Sequence, residues 1–206
     1  MARKRVAILI SGRGSNMMSL IEAARQPTYP AEIALVISNR ADAAGVDLAR
    51  AAGVEAVVVP SRAYDDRAAF EADLTRQLEA RDIEIVCLAG FMRVLTPAFV
   101  AHWRDRLINI HPSLLPAFQG LDTHARALAA GVAEHGCTVH YVRDGVDDGP
   151  IIAQAAVAVR AGDTPETLAA RVLAEERKLY PAALALVAAG KSTPSEANLA
   201  ETIKVP

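Results

Sequence analysis

Asn109 and His111 stand two residues apart in the run Asn109-Ile110-His111-Pro112-Ser113-Leu114-Leu115-Pro116. In an extended strand that spacing turns both side chains to one face and Ile110 to the other. An amide that donates to an oxygen gaining negative charge, beside an imidazole that moves protons, suits acyl transfer. No serine or cysteine stands in a nucleophile elbow, so the chemistry on offer is direct transfer without an acyl-enzyme. A hydrogen-bonded polar pair at a strand end is the plainer reading of the same residues.

Two further segments carry chemistry. Ser11-Gly12-Arg13-Gly14-Ser15-Asn16 places two glycines between an apolar run and a helical pattern, where free backbone N–H groups and the helix dipole suit an anion. Met17 stands where a dinucleotide loop needs its third glycine, Asn39 stands where a ribose-binding acid is expected, and the P-loop lysine is missing. The loop therefore reads as a site for one phosphate, or as a bare turn, and not as a site for NAD or ATP. Asp144-Gly145-Val146-Asp147-Asp148-Gly149-Pro150 groups three carboxylates without the closing glutamate of a calcium loop, so no metal is expected. It reads either as a solvated turn or as the source of a carboxylate that orients His111 and raises its pKa. His102, His124, His135 and His140 form no metal-ligand spacing; His124 and His140 are the two that could line the same cleft.

The elements that must position these residues alternate. Continuous apolar runs at 5–10, 32–38, 54–59, 83–89 and 106–111 read as buried strands, with helical spacing at 15–25 and 43–52. A third helix follows Asp65 as its cap, with Phe70, Leu74 and Leu78 on one face. Unalternating strands separated by helices call for an α/β, Rossmann-like, mostly parallel sheet covered on both faces. The linker 144–150 is too short for a crossover helix, so 137–142 and 151–159 form an antiparallel C-terminal extension of that sheet. Thr164-Pro165 opens a last helix running to Tyr180, with Pro181 as a kink or new start. One domain over 1–206 is expected, with a phosphate-binding half at 1–105, a catalytic half at 106–190 and a peripheral tail at 191–206.

Composition excludes several classes. Of 206 residues 52% are hydrophobic and only 4% aromatic, with 42 alanines, and no apolar run approaches the roughly 20 residues of a membrane span. Residues 3–10 lack the length of a secretory signal. The net charge of −2 comes from interspersed acids and bases, so no basic stripe marks a nucleic-acid partner. Cys87 and Cys137 lie in apolar runs and read as reduced, buried cysteines of a cytoplasmic protein.

Four blocks in this order, Ile10 with the glycine loop, Leu88-Ala89-Gly90-Phe91-Met92-Arg93-Val94-Leu95, residues 109–116, and residues 136–152, resemble the folate-dependent phosphoribosylglycinamide formyltransferase family. The resemblance spans residues 6–181. It implies transfer of a formyl group from 10-formyltetrahydrofolate, as co-substrate, to the amine of 5-phosphoribosylglycinamide in purine synthesis. Asn109, His111 and Asp147 take the catalytic positions, and Gly14, Ser15 and Asn16 the phosphate positions. Gly90, Pro112 and Glu176 match other substrate contacts. Arg67, Met92, Arg93, Val94 and Leu95, together with Asn109 and the loop of Arg143, Asp144, Gly145, Val146 and Asp147, match the folate contacts. The sequence departs from the pattern at Leu173, where relatives carry a polar residue near the phosphate, and at Asp148, often a glycine. Methionyl-tRNA formyltransferase and formyltetrahydrofolate deformylase share the 109–116 block. The first needs a further C-terminal domain and the second an N-terminal one, which this length does not accommodate. A folate- or phosphate-binding module without catalysis is the non-enzymatic alternative, and the choice between monomer and homodimer stays open.

Overall fold

A computed structural model describes residues 2–192 and 194. Among the described residues seven strands form one sheet: β1 (Lys4–Ile10), β2 (Ala31–Ser38), β3 (Ala56–Val58), β4 (Ile85–Leu88), β5 (Leu107–His111), β6 (Glu134–Tyr141) and β7 (Ile151–Ala158). Their spatial order is β3-β2-β1-β4-β5-β6-β7. The first five pair in parallel, whereas β5–β6 and β6–β7 are antiparallel. The Rossmann-like sheet and its antiparallel extension are as the sequence predicts. The physical reason is visible in β1, where Val6, Ile8 and Ile10 join one apolar cluster and Ala7 and Leu9 the other. A strand buried on both faces has no polar side to alternate with.

Helices α1 (Ser15–Ala24), α2 (Ala44–Ala51), α3 (Arg67–Glu79), α4 (Pro97–His102), α5 (Thr123–Ala129) and α6 (Pro165–Ala188) cover the sheet. Met17 and Leu20 of α1 join Leu168, Val172 and Leu179 of α6 in one cluster, while Phe70 and Leu74 of α3 join Phe99 of α4 in the other.

Several expected boundaries move. Asp66, not Asp65, caps α3: its carboxylate accepts the Ala69 N–H at 2.7 Å. The third strand shortens to Ala56–Val58. Helix α4, which the sequence reading passes over, starts at Thr96-Pro97, with the threonine hydroxyl accepting from Phe99 N–H. Helix α5 was likewise not expected. Helix α6 does not stop at Pro181 but runs on to Ala188. A proline removes one helical hydrogen bond, and tertiary contacts on both sides hold the helix through it. The wholly buried Tyr180 donates to the carbonyls of Leu88 and Ile108 at 3.0 and 3.2 Å, and Pro181 O accepts from the Tyr29 hydroxyl at 2.7 Å. Cys87 and Cys137 are buried and unpaired. The tail expected at 191–206 lies mostly outside the described residues.

The chain leaves β1 toward β2 on one side and β4 lies on its other side, so the strand order reverses there. At such a point the carboxyl ends of a parallel sheet open into a crevice. Residues 11–16 leave β1 and residues 89–95 leave β4 at this edge, tied where Ser11 N–H donates to Gly90 O at 3.1 Å.

Candidate active site

Strand β5 delivers Asn109 and His111 to one face, and β6 runs antiparallel beside it with His140 opposite Asn109. The β6–β7 connection folds back so that Asp147 meets them. Asp147 Oδ2 lies 3.2 Å from His111 Nδ1 and accepts the Gly120 N–H at 3.0 Å, while its Oδ1 accepts from Asn109 Nδ2 at 3.4 Å. His140 Nε2 lies 3.2 Å from Asn109 Nδ2 and 3.6 Å from Asp147 Oδ1. Asp147 adopts φ 53°, an uncommon conformation for a residue with a side chain. Between the two adjacent carboxylates it is Asp147 that reaches His111; Asp148 is exposed. The three residues separated by up to 38 positions in sequence thus form one cluster, with His140 as a fourth member.

Protonation is set by competing effects. Burial lowers the His111 pKa, and it outweighs the pull of the Phe118 carbonyl and of Asp147. Asp147 does raise the His111 pKa, as expected of a carboxylate there, but His111 is only 5% exposed and desolvation of the cation outweighs that pull. Burial also pushes the Asp147 carboxyl up, but His140, His111 and the Gly120 N–H together leave it below its ordinary value. His111 Nε2 lies 3.0 Å from Phe118 O, which can only accept, so that nitrogen carries a proton. Both imidazole nitrogens thus face acceptors, an arrangement that satisfies the cation once the site creates a reason to form it.

The strap from 113 to 120 that supplies Phe118 O and Gly120 N is itself anchored. Thr138, opposite His111 in register, donates to Ser113 O at 2.6 Å and accepts from Leu115 N at 3.0 Å and Gln154 Nε2 at 2.9 Å. Sequence reasoning missed this support, because Phe118 and Gly120 act through backbone atoms that no side-chain pattern marks.

The glycine loop leads into α1 through Gly14, at φ 76°, which precedes the helix without a side-chain cap. The helix N-terminus is left open to an anion. Helix α2 closes on the loop through Gly45, whose N–H donates to Gly12 O at 3.0 Å; a Cβ there would lie 2.6 Å from Ile10 Cδ1. A glycine inside a helical run was the one signal in the sequence for this approach. Asn16 Nδ2 donates to Glu176 Oε2 at 2.8 Å, and Asn16 Oδ1 is buried with no partner among the described residues. Burial raises the Glu176 pKa against that hydrogen bond. An open depression of about 830 Å³ beside Gly14 and Ser15 is lined by Arg13, Leu173, Arg177 and Lys178 among others. Leu173 offers no polar group there, while Arg177 and Lys178, not singled out from sequence, bring positive charge to the same wall.

The folate positions inferred from resemblance are placed unevenly. Met92, Arg93 and Val94 are exposed between buried Phe91 and Leu95. Among the described residues the backbone of Arg93 and Val94 makes no hydrogen bond, which leaves polar groups for a ligand. Gly90 sits exposed at φ 72° where β4 turns away, and Pro112 follows His111 directly. Arg67 is exposed at the start of α3. Asp144, Gly145 and Val146 are exposed on the connection that carries Asp147. Arg143 donates to Asp105 at 2.6 Å and to Val142 O at 3.0 Å. Among the described residues no cluster of three His, Cys, Asp or Glu could hold a metal ion, and no helix is long and apolar enough to cross a membrane.

Comparison with known proteins bears on this arrangement. The formyl transferase family model matches residues 4–184. Phosphoribosylglycinamide formyltransferase of Escherichia coli K12 is 44% identical over 186 residues, covering 90% of this chain and 88% of that protein. The trifunctional purine biosynthetic protein adenosine-3 of Drosophila pseudoobscura is 52% identical over 91% of this chain, which spans only 14% of that relative's length. Among solved structures, glycinamide ribonucleotide transformylase 1 from Symbiobacterium toebii superposes with a TM-score of 0.92 at 47% identity, covering 94% of this chain and 92% of that one. A phosphoribosylglycinamide formyltransferase from Brucella melitensis, 51% identical, gives 0.88 over 94% of this chain and all of that one. With the fold, the family match over residues 4–184 and these likenesses in agreement, the chain belongs to the formyl transferase family.

Proposed function

We propose that this chain transfers the formyl group of 10-formyltetrahydrofolate to the amine of 5-phosphoribosylglycinamide, a step of purine synthesis. The observation that carries the reading is the buried cluster of Asn109, His111, His140 and Asp147 at the end of β5. The substrate amine attacks the formyl carbon, a C–N bond forms, and negative charge develops on the formyl oxygen. Collapse breaks the bond from that carbon to the folate nitrogen, which receives a proton equivalent to the one the amine loses.

The residues divide the work by position. Both Asn109 N–H groups are committed, one toward His140 and one toward Asp147. The Asp147 contact, at 3.4 Å, is the weaker, and it is the one exchanged for the formyl oxygen. His111 Nε2–H likewise exchanges Phe118 O for that oxygen as it gains charge, since a charge-assisted hydrogen bond is the stronger one. The developing anion favours the imidazolium, and Asp147 at 3.2 Å stabilises it from behind. Gly14, Ser15 and Asn16 hold the substrate phosphate at the start of α1, with Arg177 close by. Glu176, fixed by Asn16, faces the glycinamide end. The backbone of Met92, Arg93, Val94 and Leu95 binds the folate ring system, with Arg67 and residues 144–146 at its border.

A formyl-transfer assay with phosphoribosylglycinamide, water and charged initiator tRNA as parallel acceptors tests the reading. Transfer to phosphoribosylglycinamide alone is expected. Hydrolysis, or transfer to tRNA, in its place overturns the assignment in favour of a deformylase or a tRNA formyltransferase.

A further inference from the structure

Ser11 opens the glycine loop, yet its hydroxyl faces the segment that leaves β4. Ser11 Oγ accepts the Met92 N–H at 2.8 Å and donates to Asn39 Oδ1 at 2.6 Å. Ser11 N–H donates to Gly90 O at 3.1 Å, so one residue grips the chain on both sides of Phe91. Asn39 follows β2 directly and is itself fixed: its N–H donates to Ile10 O at 3.3 Å, and its carbonyl accepts from Ser61 N–H at 3.2 Å. Ser11 and Asn39 are each only 6% exposed. Met92 and Val94 are 65% and 60% exposed, so their side chains do not anchor the stretch between Phe91 and Leu95. Among the described residues the bond from Met92 to Ser11 is the hydrogen bond that fixes the backbone of 92–94.

We infer that Ser11, braced by Asn39, is a positioning residue for the folate-binding segment, joining the floor of one substrate site to the start of the other. The inference rests on the folate reading of residues 92–95. It makes a residue at the head of the phosphate loop matter for the other substrate. A hydroxyl has one proton to donate, and here Asn39 takes it, which turns the Ser11 lone pair toward Met92. Removing the hydroxyl leaves a buried carbonyl oxygen and a backbone N–H without partners, a loss larger than the bond itself.

The test measures the dissociation constants of tetrahydrofolate and of phosphoribosylglycinamide for the wild-type protein and for Ser11→Ala, Ser11→Thr and Asn39→Ala. Folding is followed by circular dichroism. Ser11→Ala is expected to weaken tetrahydrofolate binding about tenfold and to change phosphoribosylglycinamide binding less than twofold. Ser11→Thr, which keeps the hydroxyl, is expected to return most of the loss. Asn39→Ala leaves the hydroxyl unbraced and shows an intermediate effect; it decides the matter by the same two constants if Ser11→Ala does not fold. Unchanged folate binding in the folded variants, or equal loss for both ligands, overturns the inference. A wild-type protein that binds no tetrahydrofolate refutes the functional reading instead.

Discussion

Replacing Asp147 by Asn tests the charge that stands behind His111. The amide has the carboxylate's shape and can still accept the Gly120 N–H, which the carboxylate holds at 3.0 Å, so the loop should keep its place. What disappears is a negative charge 3.2 Å from His111 Nδ1, on a side chain 13% exposed. Two unit charges at that distance interact by about 5 kcal/mol at an effective dielectric constant of about 20. Part of this is offset, because the same carboxylate also receives Asn109 and lies near His140, and because the pair is partly open to solvent. The net value of a hydrogen bond to a charged group, about 1.5–3 kcal/mol, is the better guide. At about 1.4 kcal/mol per tenfold, turnover should fall about 10- to 150-fold. The assay is steady-state formyl transfer with both substrates saturating, beside an NMR titration of His111 in the free protein. In the wild type His111 should titrate below 6.5, the ordinary value from which burial lowers it, and in Asp147→Asn lower still, since Asp147 acts to raise it. A folded Asp147→Asn variant within threefold of wild-type turnover, or a His111 titration that does not move, refutes the reasoning.

Three other outcomes are expected. His111→Ala removes a donor to the developing oxyanion and should lower kcat by about 10²- to 10³-fold, checked by steady-state kinetics with the fold verified by circular dichroism. Gly45→Ala would set a Cβ 2.6 Å from Ile10 Cδ1 and 3.0 Å from Gly12 O, so Ile10 must shift its tip and the glycine loop must ease away from α2; the KM for phosphoribosylglycinamide should rise severalfold, with folate KM little changed. His135, 1% exposed, has its pKa lowered to about 4 by burial. The unfolded chain binds that proton from about 6.5 downward and the native chain does not, so stability should fall as pH drops from 6.5 toward 4. The full loss is about 3 kcal/mol. Urea unfolding across this range measures it, and His135→Phe should flatten the slope.

The parallel core of the fold was legible because its signal is local and repeated. Runs such as residues 5–10 are apolar throughout, and only a strand buried on both faces carries that pattern. Helix ends were less legible. Asp65 and Asp66 offer the same side chain, and the choice between them depends on which one sits a turn before a free N–H. Pro181 reads as a kink or a new start from sequence, but the Tyr180 and Tyr29 hydroxyl bonds to backbone carbonyls keep α6 one helix through it. Short α4 and α5 escaped because six and seven residues carry too little periodicity to register.

The sequence by itself determined which residue types meet at the site, since an amide, an imidazole and a carboxylate are recognisable wherever the chain puts them. Strand spacing even placed Asn109 and His111 on one face. Tertiary structure alone decided the rest, because distance and desolvation are not properties of a sequence. It brought Asp147, already singled out in the sequence, to within 3.2 Å of His111, set His140 beside Asn109 rather than merely in reach of the cleft, paired Arg143 with Asp105, and tied Asn16 to Glu176. It also set the balance at His111. The loop reads from sequence either as a solvated turn or as the source of a carboxylate that raises the imidazole pKa; Asp147 does raise it, whereas packing removes the water that would have solvated the cation, and that loss is the larger effect.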